Sequence, residues 1–142
     1  MTTYNLSTIR ADLKTLFLTI TEIAFVYDRR NPTVEGYPCI IFDVERNDNE
    51  MITNVENLRQ ITFRVWIMTE IPVGGAEKAN TILDNATTAV IEEIEKISNL
   101  QLGGDINWFP PVEGARQEVS SPTGNLVWQI LDLRCRIISS VL

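Results

Sequence analysis

The sequence predicts an α+β fold: a mostly antiparallel sheet of about four to five strands with two helices packed on one face and a long hairpin arm. Two stretches repeat their apolar residues every three or four positions, which is the spacing of a helix face. Between and after them lie runs that alternate apolar and polar residues, the spacing of a strand with one buried side. The order of these pieces, helix, three strands, helix, two strands, lacks the strict strand–helix alternation of a parallel sheet. Residues 1–142 are expected to form one domain, since roughly 100–200 residues per domain is usual and 44% of this chain is hydrophobic.

Leu6, Ile9, Leu13, Leu16, Phe17 and Ile20 place an apolar stripe along a helix from Leu6 to Thr19, with Asn5 or Ser7 available to cap it. Ile23 to Tyr27 is β-branched and aromatic, reads as a short strand, and ends in the turn Asp28-Arg29-Arg30-Asn31-Pro32. Pro38 can open a strand, because its missing N–H is tolerated at a first position. Cys39 to Arg46 then sets Ile40, Phe42 and Val44 on one side and Asp43 and Glu45 on the other. Gln60 to Thr69 repeats the pattern with Ile61, Phe63, Val65 and Ile67, an entirely apolar side that marks a central strand.

Gly74-Gly75 precedes a second helix, from Ala76 to Ile97, with Ala79, Ile82, Leu83, Ala86, Val90, Ile94 and Ile97 inward and Lys78, Thr81, Asn85, Thr88, Glu92 and Glu95 outward. Glu92 and Lys96 stand four apart, in the order that favours an ion pair. Ile106 to Phe109 reads as a strand stopped by Pro110-Pro111, and Glu113 to Asn125 as a surface loop with a hairpin tip around Pro122 to Asn125. Leu126 to Ile138 closes the chain as a strand with Val127, Leu131, Leu133, Cys135 and Ile137 on its buried side.

Composition narrows the chemistry. There is no histidine, so Ser-His-Asp, Cys-His and His-metal sites are excluded. Cys39 and Cys135 form no C-x-x-C pair and read as buried free thiols. The net charge of −7 argues against tight binding of nucleic acid, which rests on Lys and Arg neutralising phosphates. Arg10, Asp12 and Lys14 interrupt the first apolar group, so neither a signal-peptide core nor a membrane span is expected and the chain should be soluble and made in the cytosol. Gly74-Gly75 lacks both G-x-G-x-x-G and the P-loop lysine, and reads as a plain turn into a helix rather than a phosphate site. Glu92, Glu93 and Glu95 read as a wet helix surface rather than catalytic carboxylates.

Two features remain as candidates for function. Arg64, Arg134 and Arg136 share the polar side of their strands with Asp43, Glu45 and Asp132, and Trp66 and Trp128 fall there too. Such a face is either solvated and charge-paired or an interface, and large aromatics beside charge favour the interface. The second is the arm from Arg46 to Arg59, roughly a dozen irregular residues of the kind that usually mark function or disorder. From Asp43 to Asn57 there are five carboxylates against Arg46, a net −4 of the chain's −7, and the arm also carries Met51, Ile52, Val55 and Leu58. A solvated loop has no use for those apolar side chains, whereas a docking arm does. The contact residues expected are Asp48, Asn49, Glu50, Ile52, Val55, Glu56 and Asn57 on the arm, with Arg64, Trp66, Trp128, Arg134 and Arg136 on the sheet.

Gly36-Tyr37-Pro38 opening an alternating strand, the acidic Asn47-Asp48-Asn49-Glu50, Thr53 to Asn57, and the return strand Ile61 to Ile67 resemble the tail terminator (tail completion) proteins of long-tailed bacteriophages. The helix around Lys78-Ala79 and Ile82-Leu83, the Trp108 run before Pro110-Pro111 and the final strand follow in the same order. The resemblance implies a structural protein without an active site or cofactor, located in the virion's tail or neck and assembled in the bacterial host cytoplasm. It implies a ring, typically of six copies, that caps the tail tube, ends its polymerisation and joins it to the head-tail connector or stopper protein. DNA would pass through without specific binding, and no membrane is involved. The alternatives are another neck or tail-tube ring component, a small carboxylate-dependent metalloenzyme, and an acidic adaptor.

Overall fold

Asn5 opens the first helix: its Oδ1 accepts the N–H of Thr8 at 3.1 Å, and α1 (Leu6–Leu18) follows. The structure is a computed structural model, and the residues it describes are 5–51, 56–71, 75–96, 99, 102, 106, 108–110, 112–121 and 124–140. The remaining elements in chain order are β1 (Phe25–Tyr27), β2 (Cys39–Met51), β3 (Glu56–Glu70), α2 (Ala76–Glu95), β4 (Glu113–Ser121) and β5 (Gly124–Ser140).

The strands form one five-stranded sheet in the order β1-β2-β3-β5-β4. Only β1 and β2 run parallel, and every other pair is antiparallel. The fold class is therefore α+β, as the periodicities predict. Ile40, Phe42, Ile61, Phe63, Val65, Ile67, Leu131, Leu133, Cys135 and Ile137 point to one side and form a single core with Ile9, Leu13 and Phe17 of α1 and Ala79, Leu83, Ala86 and Val90 of α2. Both helices thus cover the same face. Alternation at period two in the strands and at three to four in the helices leaves no other way to bury all these side chains together.

Four local expectations are corrected. Residues 46–51 and 56–59, expected to be irregular, are strand: β2 and β3 pair without a break from Arg46↔Thr62 to Met51↔Asn57. β5 pairs with β3 along the same length, to Glu56↔Ser140, so this end of the sheet is a three-stranded ribbon and not a two-stranded arm. Ile52 and Val55 lie outside the described residues. The loop expected at 113–125 is β4, an edge strand joined to β5 as a hairpin by Ser121↔Gly124, while Pro122 and Thr123 lie outside the described residues. Of the strand expected at 106–109, the described residues Ile106, Trp108 and Phe109 show one bridge, Trp108↔Arg136, and Asn107 lies outside the described residues. The Nζ of Lys96 meets Glu93 at 2.7 Å rather than pairing with Glu92, because α2 ends at Glu95 and Lys96 has left helical geometry.

Candidate functional site

Among the described residues no helix covers the sheet's second face, and the even-numbered residues of β3 and β5 line it. A bulge between Val44 and Arg46 shifts the register of β2, so Cys39, Ile41 and Asp43 before it, and Arg46, Asp48 and Glu50 after it, come to this same face. Across the strands the rows read Met68 with Trp128, Trp66 with Ile130, Arg64 with Asp132, Thr62 with Arg134, Gln60 with Arg136, and Leu58 with Ile138.

At one end the face is apolar. Cys39, Ile41 and Met68 are buried there and pack with Trp66, Trp128, Tyr27 and Tyr37. An open recess of about 220 Å³ lies among Ile41, Trp66, Met68 and Trp128, rimmed by Arg30 and Asn31. The Arg30 guanidinium stands 5.4 Å from the Trp66 ring centroid, a cation–π contact, and bonds Glu45. Trp128 Nε1 donates to Gln117 of β4 at 2.9 Å, which fixes the indole.

In the middle the charges are paired across the strands. Arg10 of α1 meets Asp43 at 2.8 Å, and Arg64 lies 3.4 Å from Glu45 and 3.2 Å from Asp132. Arg134 approaches Glu113 at 3.8 Å. Arg136 donates to Gln60 at 2.9 Å and stacks over Trp108 at 5.8 Å. Burial disfavours the charged form of Asp43, but the hydrogen bond from Arg10, the N–H groups of Val44 and Arg30, and the charge of Arg10 outweigh it and hold its pKa below the ordinary value.

That depression has a measurable consequence. A carboxylate with a lowered folded pKa adds stability above its unfolded value, and the contribution is lost as pH falls through the folded one. Asp43→Asn is expected to lower the unfolding free energy at pH 7 by about 1 kcal/mol and by less as the pH drops below about 4. Urea unfolding at several pH values checks it. A wild-type minus variant difference that does not shrink in acid would show that the carboxylate's charge plays no part.

At the far end are the residues expected on the arm. Asp48 and Glu50 stand on this face beside Gln60, Leu58 and Arg136, around an open recess of about 420 Å³ that Asn49, between them in the strand, also lines. Asn49 and Asn57 alternate to the helix side of the ribbon, so the candidates do not share one surface. For Glu56 only the backbone pairing with Ser140 is described. The structure therefore gathers Arg64, Trp66, Trp128, Arg134, Arg136, Asp48 and Glu50 on one face. Sequence reasoning missed Ile41, Met68 and Arg30; the signal for the first two was an apolar residue at the polar phase of each strand.

Burial pushes the Cys39 thiol up to about 11 and raises that of Cys135 as well, and both cysteines are free. Among the described residues no group of three His, Cys, Asp or Glu is placed to hold a metal, and no helix is long and apolar enough to cross a membrane. The fold and this face define the class: an α+β protein with one sheet face buried under helices and the other offering apolar, charge-paired and acidic zones in sequence. Comparison with protein-family models and with curated proteins found no match.

Proposed function

We propose that the chain is a non-enzymatic structural subunit, a tail terminator of a long-tailed bacteriophage, which forms a ring that caps the tail tube and offers a joining surface to the head connector. The observation that carries this reading is the end of the sheet, where none of the described residues 45–51 of β2 or 57–60 of β3 is buried although both strands are regular. A regular ribbon without a helix layer over these residues has surface to spare for another protein. The acidic charge also suits a ring through which DNA slides, since a lumen that repels phosphate does not grip it. The order of motifs that resembles tail terminators supports the same assignment.

The test is sedimentation of the purified protein with and without tube protein, together with end-on electron microscopy. A ring with a central hole that stops at tube ends is the expected result. Long cylinders would instead identify a tube subunit, and a protein that stays monomeric and binds neither tube ends nor connector under any condition would remove the reading. A rise in melting temperature on adding Mg²⁺ or Mn²⁺ would favour a carboxylate metalloenzyme by linkage.

A further inference from the structure

After β1 the chain turns through Asp28, Arg29, Arg30 and Asn31, and among the described residues no backbone–backbone hydrogen bond joins positions 29–37 to another segment. Side chains hold the turn instead, and they converge on Asp43. Its Oδ2 accepts the backbone N–H of Arg30 at 3.3 Å, and its Oδ1 accepts the Arg10 guanidinium at 2.8 Å. The same Arg10 nitrogen donates to the carbonyl oxygen of Asp28. The Arg30 guanidinium donates to the carbonyl oxygen of Val44 at 3.1 Å, bonds Glu45 and lies 3.9 Å from Asp43.

The turn also stands at the apolar end of the open face. Arg30 and Asn31 rim the recess among Ile41, Trp66, Met68 and Trp128, and the Arg30 guanidinium sits 5.4 Å from the Trp66 ring centroid. Arg30 therefore belongs both to the Asp43 cluster and to the rim. We propose that residues 28–31 are a strap at the recess and that Asp43 is its latch: bonded to Arg10 and Arg30 it holds the strap against Trp66, and without those bonds the strap swings away and widens the recess. A segment without backbone pairing opens at low cost once its side-chain anchors are lost. Glu45 is the weaker anchor, since it is shared between Arg30 and Arg64, whereas Asp43 bonds both α1 and the strap. The device is independent of what fills the recess and of the ring reading.

Acid is the trigger. The charged groups around Asp43 are Arg10 of α1, Asp28, Arg29 and Arg30 of the turn, Glu45 of β2, its row partner Arg64 of β3 and, bonded to Arg64, Asp132 of β5. The Asp43 pKa lies below the ordinary value, so the latch is closed at neutral pH and opens as the pH falls below about 4.

Two readouts test it: hydrogen exchange along the chain, and acrylamide quenching of Trp66 in a Trp108→Phe, Trp128→Phe background. At pH 7, Asp43→Asn is expected to speed exchange across 28–31 about tenfold, to leave α1 and β3 unchanged and to raise Trp66 quenching. Arg30→Gln, at an exposed position, should speed exchange across 28–31 in the same way. Asp132→Asn, which removes a carboxylate from the same row without touching the strap, is the control and should change neither readout. Wild-type protein should reach the Asp43→Asn level of quenching in acid, where the variant itself changes little. Unchanged exchange across 28–31 in Asp43→Asn overturns the proposal, as does exchange that rises equally throughout the chain, which would make Asp43 a general support of the fold. An equal effect from Asp132→Asn, or an acid transition that persists in Asp43→Asn, assigns the response to another carboxylate and overturns the latch.

Discussion

Replacing Phe42 by alanine is expected to cost about 3–5 kcal/mol of folding stability, a large part of the roughly 5–15 kcal/mol that such domains possess. Phe42 is completely buried in β2, where its ring lies between a ring of α1 and a ring of β3. Its ring meets Phe17 of α1 edge-on at 5.2 Å between centroids and Phe63 of β3 at 6.0 Å. Truncation removes both aromatic contacts and leaves a cavity walled by three elements, which cannot all move inward together. Urea unfolding should show a lower midpoint at unchanged slope. A loss under about 1 kcal/mol would mean that α1 is not packed on the sheet through this ring.

Gly114→Ala should destabilise by about 1–3 kcal/mol, although glycine-to-alanine changes at unstrained positions commonly stabilise. The reason is space and not dihedral freedom. A Cβ at Gly114 would strike the carbonyl oxygen of Ile130 and come within 2.6 Å of Leu131 Cδ2 and 3.0 Å of Gln129 Nε2. The oxygen is backbone of β5, and it cannot withdraw without opening the ladder that pairs Gly114 with Leu131. Damage should be local, since β4 is an edge strand. Hydrogen exchange is expected to speed up in Glu113–Ser121 and to stay unchanged in β2 and β3. The Trp128–Gln117 bond should loosen with it, which indole fluorescence would report. A stabilised variant, or one that weakens the whole sheet equally, would contradict the close approach.

The readable and unreadable parts of the sequence divide along a physical line. Wherever one side of an element is buried, its period was visible. The stripe Ala79, Leu83, Ala86, Val90, Ile94 is inward, and Lys78, Thr81, Asn85, Thr88, Glu92 and Glu95 are all exposed. The four side chains Ile61, Phe63, Val65 and Ile67 are fully buried in the strand second from neither edge. Where no side is buried, the pattern vanished. The residues 45–51 and 113–117 are strand and yet none is buried, so their composition of Asn, Asp, Glu, Gly and Arg resembles loop. They are held by backbone pairing with β3 and β5, a partner that lies elsewhere in the chain and leaves no local periodicity.

The candidate face was half legible for the same reason. Arg64, Trp66, Trp128, Arg134 and Arg136 share a strand phase, and counting by two from Ile61 and Leu133 is enough to place them together. The one-residue bulge after Val44 was invisible, and it decides that Asp48 and Glu50 join that face while Asn49 does not. Arg10 and Arg30 come from a helix and a turn, and only the packing of α1 and the β1 edge brings them to Asp43 and Glu45.

By itself the sequence determined the two helices, the side of each central strand that is buried, the free thiols and the chemistries excluded by the lack of histidine. The tertiary structure alone decided the strand order β1-β2-β3-β5-β4, the change of the expected arm into a three-stranded ribbon, and the placing of an apolar recess and an exposed Met51 at opposite ends of one strand. Burial is written locally, residue by residue, because each side chain meets water or the core at its own position. Strand pairing and register are written between distant segments, and they exist only once the chain has folded.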